Sequence, residues 1–420
     1  MPAYALDRFG ALAERPFRLL WLGRTCSSVG DALIPVAIAF TVLSDLNGSA
    51  AELGLVAASY TIARVAFILV GGVWADRLPR RLVMLTCDAV RCVSQATVAG
   101  LLFSGGLELW MLALFSAVSG AAAAFFGPAS TGLVPETISR PRLQQANALF
   151  GLSEGATSIF GPALAGVLIA GFGTGVVFVI DAASYAVSAA FLLALRAGRA
   201  RAAERDSFLR DLARGWREVR ARAWLQASFA VFALSNLSIA CFFVLGPVVF
   251  EEELGGAGDW GLALTIGAVG GSLGSVVALR YRPGRPLLPV FLVCLPISLT
   301  LLALVPPLPA VAVGVVLAAS FGGVAASNAI WDTVLQANVP RDTLSRVSSY
   351  DWLISLVFMP VGFVLAGPVA EAIGRDTTLL GAAALSAGAN LGVLLVPSVR
   401  GMRRRDGPYE PVERPAFESA

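Results

Sequence analysis

The chain has 420 residues, of which 57% are hydrophobic and 14% charged, with a formal net charge of +3 and a mean hydropathy of +0.76. A soluble domain carries about 25% charged residues, so a water-exposed globule is excluded and a multi-pass membrane protein is indicated. The 31 basic residues are all arginine and histidine is absent, so any proton carrier must be a carboxylate, and an imidazole metal site is ruled out.

Residues 1–16 form a polar N-terminal segment with Asp7, Arg8, Glu14 and Arg15. The apolar run behind it is too long for a signal peptide and has no small-residue cleavage site after it, so an uncleaved first membrane helix is expected. A membrane helix needs about 20 mostly apolar residues. Twelve stretches qualify: 17–44, 51–75, 82–104, 108–134, 142–171, 175–196, 224–250, 260–280, 287–306, 309–338, 344–374 and 377–399. The sharpest breaks are short turns such as Ser104-Gly105-Gly106 and Pro306-Pro307-Leu308-Pro309. The five cysteines (Cys26, Cys87, Cys92, Cys241, Cys294) are scattered singly through apolar runs, a spacing that fits neither a disulfide framework nor a zinc site.

Arginine placement tests the span count. Arginines fall in the N-terminal segment, in every even-numbered connection and in the tail; only Arg24, Arg64, Arg91 and Arg375 lie elsewhere. The positive-inside rule then puts both termini and the even connections in the cytoplasm. The sixth connection, 197–223, is the longest and most charged, and contains an amphipathic piece at 208–216 that suits a helix lying on the inner leaflet. It separates an N-terminal six-helix unit, 17–196, from a C-terminal one, 224–399, with a tail at 400–420. The two units are related: shifted by 201 positions, Gly161, Leu164, Ala165, Gly166 and Gly173 meet Gly362, Leu365, Ala366, Gly367 and Gly374. Such parallel repeats place a substrate site between the halves near the membrane midplane.

The stretch Gly72-Val73-Trp74-Ala75-Asp76-Arg77-Leu78-Pro79-Arg80-Arg81 resembles the signature between helices 2 and 3 of the major facilitator superfamily, with Trp74 and Pro79 departing from its usual leucine and glycine. The resemblance implies an all-α membrane protein of twelve helices in two pseudo-symmetric six-helix bundles. It also implies that Gly72, Asp76, Arg77, Arg80 and Arg81 form a cytoplasmic latch in which Asp76 meets the start of helix 11, near 343–346. A decayed second copy, Arg280-Tyr281-Arg282-Pro283-Gly284-Arg285, stands between spans 8 and 9. Gly161-Pro162-Ala163-Leu164-Ala165-Gly166 is similar to the superfamily's antiporter element in helix 5, which singles out Gly161, Pro162 and Gly166. Phe178–Tyr185 and Phe17–Trp21 resemble the branch containing siderophore and macrolide exporters.

Charges inside the spans need a partner, a wet cavity or a function. At 1.5 Å per residue, Arg24 lies roughly 10 Å and Asp31 roughly 20 Å from the inner face, Arg64 roughly 18 Å, and Glu154 at a similar depth. Asp31 and Arg64 are therefore level and could pair. Asp31, Arg64, Glu154, Arg24, Asp332 and Asp351 are the candidates for proton coupling or substrate contact, whereas Asp88, Arg91 and Asp181 read as fixed structural pairs. Asn236, Asn328, Trp331 and Phe242 are further candidates for cavity lining.

The reading is a secondary transporter of the cell (cytoplasmic) membrane, a proton-coupled exporter of drug-like or siderophore-like amphipathic molecules, working by alternating access. The expected partners are a small-molecule substrate, the proton and the lipid bilayer, with a monomeric state, no nucleic acid and no cofactor. The alternatives are an importer or facilitator of a small metabolite on the same fold, or a transport-dead sensor or scaffold, which the short tail argues against. A membrane enzyme would need a cluster of His, Cys or acids at one interface, and the sequence shows none.

Overall fold

The computed structural model describes residues 7–195, 216–339 and 341–403, with the side chains at 69–77, 341–346 and a few neighbouring positions outside that description. The described chain is almost wholly helical. The helices are α1 (Arg15–Phe40, continued by a π-helical turn, Thr41–Asp45), α2 (Ala50–Arg77), α3 (Arg80–Ser104), α4 (Leu109–Thr137), α5 (Leu143–Phe172), α6 (Thr174–Ala194), α7 (Ala223–Glu253), α8 (Gly256–Arg280), α9 (Leu287–Leu302, interrupted), α10 (Ala310–Asn338), α11 (Arg341–Ile373) and α12 (Arg375–Gly392). Of the predicted amphipathic piece, 208–215 lies outside the described residues; Trp216 packs its ring 5.4 Å from that of Tyr350.

Among the described residues, ten helices are long and apolar enough to cross a membrane, and two apolar stretches, Leu287–Leu302 and Val357–Ile373, are shorter. The stretch in α9 is short for a local reason. In α9 the helix stops at Leu292 and restarts at Pro296, because proline has no N–H to donate and its ring collides with the carbonyl four residues back. The α10 backbone closes on this break at Gly323, where any side chain would overlap the Val293 carbonyl. The α11 helix itself runs unbroken from Arg341 to Ile373; the shorter stretch within it, Val357–Ile373, begins beside positions whose side chains lie outside the description. Through the Gly71–Arg81 stretch α2 runs to Arg77, slightly past the expected end at 75, and the turn is confined to Leu78 and Pro79.

Short connections make consecutive helices antiparallel, so the bundle has two ends. At the end holding the start of α1, Glu14 accepts hydrogen bonds from the Ser139 backbone and hydroxyl at 2.9 and 2.6 Å and pairs with Arg142 at 3.4 Å. At the opposite end, Arg375 of α12 clamps Glu252 and Glu253 at the end of α7. There, too, Ser44 donates to Glu251 at 2.7 Å, tying the end of α1 to the end of α7.

Glycines decide which helices touch backbone to backbone. Gly161 of α5 rests on Ala32 of α1, and Gly362 of α11 rests on Ala240 and Leu237 of α7. One turn further, Gly166 abuts Ala257 of α8, and Gly367 abuts Ala51 of α2. Gly261 of α8 meets the Pro162 carbonyl and Gly54 of α2 meets that of Phe363. Both crossings, α5 on α8 and α2 on α11, sit toward the end opposite the start of α1. Gly173 and Gly374, at the α5–α6 and α11–α12 junctions, have φ values of 80° and 91°, a region that disfavours any side chain.

The α8–α10 contact is built the same way, with Gly270 against Ala318 and Gly274 against Gly322. Gly270→Ala forces a methyl into backbone and should destabilise the protein by about 1–3 kcal/mol, whereas Gly100→Ala, facing open space, should be neutral or slightly stabilising. Thermal unfolding of the purified variants in detergent checks the contrast; equal midpoints would refute it.

Candidate functional site

A cavity of about 690 Å³ opens between α1 and α5 on one side and α7, α8 and α10 on the other. Asp31 and Glu154 are the charged residues of its lining; Ser28, Thr157 and Ser158 stand beside them, and Phe243 and Phe321 form part of the facing wall. Among the described residues no arginine lines it. The Asp31 and Glu154 side chains are half exposed, at 51% and 54%, so both reach the cavity water.

Each carboxylate is held from behind. Glu154 accepts from Arg24 at 2.5 Å; that guanidinium also donates to Ser130 at 3.2 Å and lies 4.4 Å over the Phe150 ring. Trp21 and Thr25 both reach Ser153, at 3.0 and 3.1 Å, which fixes α1 against α5 one residue before Glu154. Asp31 accepts the Tyr185 hydroxyl at 2.5 Å through one oxygen, and its other oxygen lies 3.9 Å from Arg91. Arg91 is 5% exposed and is sandwiched by the faces of Phe126 and Tyr185, at 5.3 and 5.4 Å, a favourable placing for a desolvated cation. Beside it, Gln95 donates to Asp181 at 2.7 Å and Ser188 to Asp88 at 2.6 Å, all four side chains being buried.

These contacts revise the sequence-based pairing. Asp31 and Arg64 make no ion pair; Arg64 sits next to the Tyr60 phenol on its own helix, and the cation beside Asp31 is Arg91. The Asp88, Arg91 and Asp181 group, read from sequence as peripheral and fixed, reaches the back of the cavity carboxylate. Tyr60, Gln95 and Ser188 were not singled out by sequence reasoning, and Tyr185 entered it only as the last residue of the Phe178–Tyr185 resemblance. Helical spacing carried a signal for two of them, since Asp181, Tyr185 and Ser188 fall on one face of α6.

The remaining candidates are placed as follows. Arg80 donates to the Gly132 carbonyl at 2.8 Å and to Glu136 at 2.6 Å, and Arg81 donates to the carbonyls of Leu192 and Leu193 at the end of α6. The side chains of Gly72–Arg77 and of 343–346 lie outside the described residues, and with them the expected latch contact of Asp76. Asp351 accepts the Trp331 indole N–H at 2.9 Å, whereas Asp332 is exposed on α10. Phe242 and Trp331 are not cavity residues: Phe242 is buried against Trp260, and Trp331 is buried among Trp224, Phe229 and Phe232. Asn236 donates to the Phe232 carbonyl within α7.

A family model described as Major Facilitator Superfamily matches residues 20–354. The chain belongs to the Major Facilitator Superfamily. Within the superfamily it is 28% identical over 383 residues to a multidrug efflux pump, Tap, of Mycolicibacterium fortuitum, covering 87% of this chain and 91% of that one. It is 23% identical over 366 residues to macrolide efflux protein A of Streptococcus pyogenes, covering 85% and 90%. Among solved structures, an inward-facing bacterial homologue of the iron transporter ferroportin superposes with a TM-score of 0.71 at 18% identity, covering 90% of this chain and 98% of that one. An inward-facing bacterial homologue of the lysosomal transporter Spinster gives 0.69 at 14% identity, covering 93% and 98%. These two likenesses show a shared fold.

Tyr185→Phe deletes the hydroxyl that anchors Asp31. A hydrogen bond to a charged group contributes about 1.5–3 kcal/mol, so a loss of that order in unfolding free energy is expected. A detergent or chemical denaturation series on the purified variant measures it, and an unchanged midpoint would show that the bond contributes nothing.

Proposed function

We propose that this protein is a proton-coupled exporter of amphipathic small molecules, with Asp31 and Glu154 as the carboxylates that meet both substrate and proton. The observation that carries the reading is the cavity itself: about 690 Å³, two half-exposed carboxylates on one wall, Phe243, Leu264 and Phe321 with the neutral hydroxyls of Ser272 and Ser275 on the other, and no arginine in the described lining. Pockets that bind organic ligands are mostly apolar with a few placed polar groups. An acidic wall without a basic one favours a molecule with a cationic end and an apolar body. The similarity to efflux pumps supports export over import.

The transport cycle follows from the same geometry. The proposed halves, 17–196 and 224–399, are supported by the equivalent use of Gly161 and Gly362, Gly166 and Gly367, and Gly173 and Gly374. With the termini in the cytoplasm, as the arginine distribution indicates, the α5–α8 and α2–α11 crossings close the outer end, an inward-facing arrangement. Rocking about the cavity would exchange these crossings for contacts at the inner end, where the Gly72–Arg81 latch is proposed to act.

Everted vesicles given an inward-acid pH gradient should accumulate ethidium, a fluorescent cationic amphipath. In the double variant Asp31→Asn with Glu154→Gln, uptake should fall to the level of vesicles lacking the protein. Gradient-driven uptake at the unaltered rate would sink the assignment of these carboxylates.

A further inference from the structure

Behind the cavity wall, Asp31 is backed by ionisable groups that take no part in lining the substrate site. Arg91 is faced by Asp31 from α1, Tyr60 and Arg64 from α2, Cys87 and Asp88 from α3 itself, the Phe126 ring from α4, and Asp181 and Tyr185 from α6. The two buried carboxyls in this set differ in one respect. Both oxygens of Asp181 are engaged, one by the Gln95 amide at 2.7 Å and the other near the Ser184 hydroxyl at 3.5 Å. Asp88 is fully buried, and among the described residues only one of its oxygens has a partner, the Ser188 hydroxyl; the other has none. Asp88 and Arg91 are three residues apart on α3, so they share a helix face.

A guanidinium stays charged under all ordinary conditions, and it can neutralise one carboxylate at close range at a time. An ionised carboxylate left buried with a vacant oxygen and no cation in contact is strongly unfavourable. While Arg91 leans toward Asp31, Asp88 must therefore carry a proton. The vacant Asp88 oxygen gives the guanidinium a second place to pair.

We propose that Asp88 and Arg91 form an internal relay behind Asp31, in which one proton is held by either Asp31 or Asp88 and the Arg91 guanidinium pairs with whichever of the two is ionised. In one state Asp31 is ionised and paired, and Asp88 holds the O–H. In the other, that O–H is broken, a new O–H forms on Asp31, and Arg91 has moved along its own helix face to Asp88. One bond breaks and one forms, Arg91 keeps its charge, and the net charge of the three groups is unchanged. Asp31 thus gives up its charge to the cavity without stranding Arg91 in the membrane interior. The relay rests on the proton-coupled reading above; Asp88 and Arg91 act through Asp31, as positioning residues, and touch no substrate.

The test uses the full chain, purified and reconstituted, with ethidium as the probe. Two readouts are needed: ethidium affinity at one fixed pH, and transport measured both as gradient-driven uptake and as ethidium counterflow, which needs no net proton movement. The two states hold the same number of protons, so substitution rather than pH shifts their ratio. Asp88→Asn, which keeps Arg91 on an ionised Asp31, should bind ethidium more tightly and lose gradient-driven uptake, while counterflow persists. Ser188→Ala removes a donor that favours ionised Asp88. It too should tighten ethidium binding, by up to about threefold, the scale of one net hydrogen bond, and it serves as the test if Asp88→Asn does not fold. Unchanged affinity in both variants, or loss of counterflow together with uptake in folded Asp88→Asn, overturns the relay and leaves proton coupling at Asp31 standing. Absence of gradient-driven uptake in the unaltered protein overturns both.

Discussion

A guanidinium held away from water organises the first six helices. An arginine at the centre of a membrane helix costs about 2.5–3.5 kcal/mol on insertion scales, and Arg91 is almost fully buried. It is tolerated because three other helices bring it what water would have supplied: Asp31 from α1, the Phe126 face from α4 and the Tyr185 face from α6. That convergence limits the rest of the packing. Asp181 can stand beside this group only because α1 has no side chain at residue 30; a Cβ at Gly30 would overlap Asp181 and Ser184. The same approach sets Tyr185 against Asp31 and holds that carboxylate at the cavity edge. A buried charge, a glycine and an exposed acid are thus successive consequences of one desolvation problem.

Backbone contact is the second constraint, and it repeats. Without a hydrophobic drive between helices in lipid, close approach through small residues supplies the packing energy. Gly161 and Gly362 each press their helix onto a neighbour from the same proposed half, while Gly166 and Gly367 each press onto a helix of the other. Adjacent turns of one helix therefore serve two purposes: one turn holds a half together and the next forms the seam. A rocking motion needs a seam that separates without disrupting either half, and this division of labour along α5 and α11 meets that need.

Hydropathy made most of the fold legible, because a membrane helix announces itself by length and by arginines at one end. It did not mark the interruption at Pro296 in α9. Depth was legible too: counting residues placed Asp31, Arg64 and Glu154 at one level, and two of them do line one cavity. Rotation about the helix axis was not. Residues at equal depth can face opposite ways, so Arg64 turned to Tyr60 while Arg91, assigned to the periphery, met Asp31. Tyr185, Gln95 and Ser188 were hidden for a related reason: a hydroxyl or amide in an apolar run signals nothing until its acceptor's position is known.

The two sides of the cavity are chemically unlike. The α1–α5 side carries the ionisable groups: Asp31 and Glu154, backed by Arg24, Arg91, Tyr185 and Asp88. The α7–α10 side contributes Phe243, Leu264 and Phe321 to the cavity, with only the neutral hydroxyls of Ser272 and Ser275 among them, and its interior toward the end that holds the start of α1 is an aromatic cluster of Trp224, Phe229, Phe232 and Trp331. A molecule with one charged and one apolar end satisfies both walls only by bridging them. For the proposed exporter, such bridging links substrate occupancy to the distance between the halves, since neither wall alone can desolvate both ends of the molecule. Protonation of Asp31 would then weaken the hold on the charged end while the apolar contacts persist, releasing the substrate one wall at a time.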